Sequence, residues 1–150
     1  MFEKFGEFDS AEEINRAAEA QKREGDTEAV LVIAEENGID REDAEDFLDG
    51  IVPELASPLM AAMGKLRVEE ADLEPEGIMK DWLSYIQIQC TEDEGMAKAV
   101  RRKGKSLKKC IGALLKWSFE NAREINKVVA GYAGFPKIGR VTLGTPDMGT

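Results

Sequence analysis

Apolar positions recur at helical spacing along most of this chain, and the breaks between them fall at residues that cap or stop helices. Ser10-Ala11-Glu12-Glu13 reads as a capping box, with the Ser10 hydroxyl accepting from the amide at N3 and Glu13 reaching back. The helix it opens runs to about Arg23, places Ile14, Ala17 and Ala18 inward, and stops at Gly25. Asp26 caps a second helix. Its apolar run Ala29–Ala34 resembles a strand, but Glu35-Glu36 and the Asn37-Gly38 stop argue for helix. Asp40 caps a third helix, Arg41 to Asp49, closed by Gly50, with Ala44, Phe47, Leu48 and then Ile51 apolar. A fourth is expected over Pro53–Leu66, kinked or restarted at Ser57-Pro58.

Residues 67–75 are polar and unpatterned, and read as a linker. Pro75 then opens a helix striped by Ile78, Trp82, Leu83, Ile86 and Cys90. Thr91 to Glu94 reads as a cap for a short helix around Ala97 and Val100. Ser106 caps the longest expected helix, to Val129, whose inner side carries Leu107, Cys110, Ile111, Leu114, Leu115 and Phe119 among others. Glycine and proline crowd the end of the chain, where Ile138 to Leu143 alternates enough for one short strand or an extended arm. The pattern predicts an all-α protein of six or seven helices: an acidic helical module at 1–66, a linker at 67–75, and at 76–150 a helical hairpin core with a basic segment and an extended tail.

Composition narrows the chemistry. The chain has 150 residues and is 43% hydrophobic, enough for a real core, and no window suits a membrane span. The first eight residues lack the apolar run of a signal peptide, so a cytoplasmic protein is expected. There is no histidine, the commonest general base, and no Cys-x-x-Cys. Cys90 and Cys110 read as buried free thiols. Neither a metal, a cofactor nor a catalytic constellation is expected: Asp81 and Glu120 are lone carboxylates on amphipathic helices, and only a pocket uniting Tyr85 and Tyr132 with carboxylates would suggest an enzyme. Trp82 and Trp117 read as core or interface anchors, and Met60 and Met63 as gap-filling core.

Charge adds a division that periodicity does not show. Residues 1–94 hold 27 acids and 8 bases, net −19; residues 95–150 hold 3 acids and 12 bases, net +9; together they give the overall −10. Either the two poles neutralise each other or one of them meets a partner. The acidic candidate surface is Glu42, Asp43, Glu45, Asp46 and Asp49 on the third helix, with Glu54 beyond it. Asp40-Arg41-Glu42-Asp43-Ala44 breaks the alternation of a calcium loop. Carboxylates spaced along a helix could instead imitate a phosphate backbone, against the plainer reading of a solvated face. The basic candidate is Lys98, Arg101, Arg102, Lys103, Lys105, Lys108 and Lys109, beside Gly104 and a helix start. Gly104-Lys105-Ser106 is only the last part of a P-loop signature, without its upstream glycine or strand.

Trp82-Leu83-Ser84-Tyr85-Ile86, the acidic pair Asp93-Glu94, Met96-Ala97, and Lys105-Ser106-Leu107 with Cys110-Ile111 resemble the PcfK-like family of conjugative elements over residues 78–143. The resemblance implies a mobile genetic element setting and carries over no catalytic residues. The combined expectation is a non-enzymatic binding protein of a phage or conjugative element. It would engage a nucleic-acid-handling protein through the acidic surface, with inhibition of a host defence nuclease as one form of that role. The alternative is a nucleic-acid-binding accessory protein using 98–109.

Overall fold

The computed structural model describes residues 3–121, 123–124 and 142–143. Seven helices follow in order: α1 Ala11–Arg23, α2 Thr27–Glu36, α3 Arg41–Leu48, α4 Pro58–Leu73, α5 Ile78–Glu92, α6 Glu94–Arg101 and α7 Leu107–Glu120. Beyond them Arg123–Glu124 (β1) pairs antiparallel with Thr142–Leu143 (β2), Arg123 opposite Leu143. The short strand expected at 138–143 is represented among the described residues by β2 alone. The remainder of the expected tail, and of the helix expected to reach Val129, lies outside the described residues. No helix is long and apolar enough to cross a membrane among the described residues.

The chain divides into two compact units, Met1–Lys108 and Lys109–Thr150. In the first, α1, α2 and α3 pack in sequence around Ile14, Ala18, Val30, Ile33, Ala44 and Phe47, all almost completely buried. Burying apolar side chains of this size stabilises by about 1.5–3 kcal/mol each. The caps fall where the side-chain chemistry places them. Ser10 Oγ accepts from Glu13 N at 3.2 Å, Asp26 Oδ1 from Ala29 N at 3.0 Å, and Ser57 Oγ from Met60 N at 3.1 Å. Glu13 closes its capping box one residue early, its carboxylate taking Asp9 N at 2.8 Å. Asn15 on α1 grips Ala56 with both ends of its amide, each bond 2.8 Å, and so fixes the non-helical segment between α3 and α4. Lys22 donates to Phe47 O at 2.7 Å, and its ammonium lies 4.6 Å from the centre of the Phe47 ring.

Two expectations need correction here. First, α4 does not start at Pro53; it starts at Pro58, and Ile51 after α3 is exposed rather than inward. Second, residues 67–73 are not a linker. They are the last two turns of α4, and the first unit continues through α5 and α6. At the start of α7, Leu107 N donates to Glu69 Oε2 of α4 at 2.7 Å.

The packing of α4 accounts for its polar appearance. Gly64 lies against the C-terminal end of α2: a Cβ there would meet Asn37 O at 2.1 Å, and a Cβ on Gly38 would meet Gly64 O at 2.2 Å. Gly38 also has φ +66°, which favours glycine. With side chains absent at this crossing, the inward positions on either side of it go to Ala61, Ala62 and Leu66, but also to Lys65 and Glu69. The face opposite α5 and α6 is closed by Trp82, Leu83, Ile86, Cys90 and Ala97.

α7 is amphipathic. Leu107, in the first unit, is buried, as is Ile111 in the second; Leu115, Trp117 and Phe119 are exposed, the last at 86%. Cys90 is buried and Cys110 exposed, and both are free thiols, so only Cys90 is the buried thiol expected. Burial pushes the Cys90 thiol above its usual pKa, with Asp93 adding to the shift.

Candidate partner-binding site

The acidic candidates sit on α3 because Ala44 and Phe47 face the core, which turns the intervening carboxylates outward. Glu42, Glu45, Asp49 and Glu54 are exposed; Asp43 and Asp46 are half-buried. The nearest cation in sequence, Arg41, places Nε 2.9 Å from Glu45 Oε1. Both side chains of that pair are well exposed, so it contributes little. Asp40 holds the N-cap position of α3 without capping it. Its Oδ1 accepts from Arg67 Nη1 at 3.1 Å, and the same nitrogen donates to Gly38 O at 2.8 Å. Arg67 thus ties α4 to the α2–α3 turn.

The fold extends the acidic surface beyond what linear reading found. Glu54 shares a shallow groove with Glu12, Asn15, Arg16 and Glu19 of α1, floored by Phe47, Ala56 and Pro58. Glu12 and Glu19 were missed because they read as the polar face of an ordinary amphipathic helix; nothing in sequence announces that Glu54 comes back beside them. The Glu12 carboxyl is held below the usual carboxylate range by its own backbone amide and Ser10, with Lys98 and Arg16 adding to the effect.

The basic segment does not form one surface. Lys98, Arg102, Lys103, Lys105, Lys108 and Lys109 are exposed, but Arg101 is 1% exposed. Its Nη2 donates to Asn37 Oδ1 at 2.6 Å, and Asn37 Nδ2 in turn donates to Ile33 O at 2.7 Å. Lys65 is equally buried; its ammonium lies 3.1 Å from Glu7 Oε1 and donates to Arg102 O at 2.9 Å. Desolvation lowers the Arg101 pKa, opposed by Glu7 and Glu69 and then by Asp9 and Glu13. Desolvation raises the Glu69 pKa, opposed by the Leu107 amide and Lys65. The expectation that Arg101 offers its charge at the surface is therefore wrong: it is the centre of an internal polar network joining α2, α4 and α6.

Among the described residues no group of three His, Cys, Asp or Glu side chains is arranged to hold a metal ion. A smaller cleft is lined by Glu69, Asp72, Leu73, Ser106 and Lys108. No protein-family model, curated protein or solved structure matches this chain.

Proposed function

We propose that this protein is a non-enzymatic binding protein of a mobile genetic element, acting in the cytoplasm, whose acidic surface engages a basic, nucleic-acid-handling protein. The mechanism is occlusion. Glu42, Asp43, Glu45, Asp46, Asp49 and Glu54 would take the place of phosphates in a basic groove, as an inhibitor of a host nuclease would. The observation that carries this reading is the outward presentation of the α3 carboxylates by a helix whose other face is locked into the core, with Arg41 paired to one of them, Glu45. Rigid, evenly signed charge steers association and sets specificity more than it adds affinity. The mobile-element setting rests on the resemblance of 78–143 to the PcfK-like family.

The test begins with capture from the native host, with mass spectrometry to identify the partner and duplex DNA as competitor. A basic DNA-processing protein should be captured, released by DNA and by moderate salt, and lost when the six carboxylates become their amides. Retention by the six-amide variant, or capture of a partner that DNA does not displace, would end this reading.

A further inference from the structure

The arm before α1 packs Phe5 and Phe8 against the core of the first unit, and its charged groups are held by exchangeable polar contacts. Glu36 of α2 accepts from Lys4 N at 2.6 Å and from Phe5 N at 3.2 Å. Glu7 meets the Lys65 ammonium at 3.1 Å, and Asp9 Oδ1 accepts from Lys103 N, in the α6–α7 loop, at 2.8 Å. The arm has no helix, turns at Gly6 with φ +78°, and its two phenylalanines, Phe5 and Phe8, are only half-buried. Its carboxylates therefore cover the inner cations of the basic segment. Glu7 sits on Lys65, and Glu7 and Asp9 both act on the Arg101 charge.

Without the arm, Lys65 would keep Arg102 O and Arg101 would keep Asn37 Oδ1, but both would lose the Glu7 carboxylate, and Glu69 already receives the Leu107 amide. Arg102, Lys103 and Lys105 are exposed beside them. A lysine ammonium near a backbone amide that now serves a carboxylate, with exposed basic side chains beside them, is chemistry suited to phosphate oxygens. Glu7 and Asp9 stand two residues apart on a non-helical stretch, about 6.6 Å along an extended chain, so they present anionic groups in succession as a nucleotide strand does.

We propose that residues 3–9 are an acidic strap seated where the phosphate backbone of a single-stranded nucleic acid binds, and that the strand and the strap compete for Lys65, the Lys103 amide and the surrounding basic side chains. This goes beyond the acidic-surface reading and does not depend on it.

The experiment follows a fluorescein-labelled single-stranded DNA oligonucleotide by anisotropy across a salt series. Replacing Glu7 by Gln and Asp9 by Asn together keeps the size of both side chains and removes their charge. That variant should bind about tenfold more tightly than wild type, with a log–log salt slope steeper by about one to two ions. Adding Arg102→Ala and Lys103→Ala should cancel the gain. Amide exchange on the wild-type protein guards against misfolding of the variant: saturating oligonucleotide should speed exchange at Lys4 and Phe5. Unchanged affinity in a variant of native helix content overturns the proposal, as does unchanged exchange at those two amides. The six-amide variant of the acidic surface should behave as wild type in this assay, so the two readings fail separately.

Discussion

α3 and α4 are both rich in charge and use it in opposite ways. α3 turns its carboxylates to water and buries only Ala44 and Phe47. α4 exposes Arg67 but buries Lys65 and Glu69 within its packing face. Charge on α3 stays largely in water and so is available to a partner. Charge inside α4 must be matched by Glu7, Arg102 O and the Leu107 amide, because an unmatched buried ion costs several kcal/mol. The same residue types are thus surface in one helix and internal structure in the next. Net charge by segment does not distinguish these uses; burial and partners do.

The sharpest way to break this contrast is to remove one internal cation and one surface cation. Arg101→Ala leaves Asn37 Oδ1 without the donor it has now and removes a positive charge from the network of Glu7 and Glu69, so a loss of about 3–5 kcal/mol is expected in urea unfolding. Arg41→Ala, which ends an exposed pair with Glu45, should change stability by less than about 0.5 kcal/mol. Equal losses would show that the internal network is not special.

Next in size is the crossing that lets α4 carry polar residues inward. Gly64→Ala places a Cβ against the Asn37 carbonyl, and overpacking of this kind costs about 1–3 kcal/mol. Gly112→Ala on α7, where nothing lies within 4 Å, should be neutral or stabilising by up to about 1 kcal/mol, as expected for glycine in a helix interior. Thermal unfolding of the two variants side by side checks this.

The smallest effect concerns Glu69. Its folded-state pKa is raised by burial from the ordinary 4.5, so ionisation disfavours the folded state. The sign follows: the protonated form favours folding below pH 4.5, and that contribution is lost as pH rises through the folded pKa. Glu69→Gln keeps an acceptor for Leu107 N without the charge. It should therefore be more stable than wild type at pH 7, with the difference closing as pH falls below 4.5. Chemical denaturation at the two pH values measures it; a variant less stable at pH 7 would mean that pairing with Lys65 and Arg101 outweighs desolvation.

Much of the helical order was readable because its determinants are local. Ser10, Asp26 and Ser57 cap where short side-chain oxygens reach the next turn, and Gly25 and Gly50 follow helix ends at positive φ. The acidic face of α3 was readable for the same reason: alternation of Ala44 and Phe47 with carboxylates is a property of one helix. Glu12 and Glu19 were not readable as part of that surface, because their nearness to Glu54 depends on Asn15 pinning Ala56.

By itself, then, the sequence determined that the chain is helical, where most helices begin, and which face of α3 meets water. These follow from side-chain spacing and hydrogen bonds within a few residues. Only the tertiary structure decided that 67–73 belongs to α4, that Arg101 and Lys65 lie inside, and that Glu7 and Asp9 are their covering. Helical periodicity equates inward with apolar, and that equation fails wherever a buried charge meets a partner supplied by a distant part of the chain.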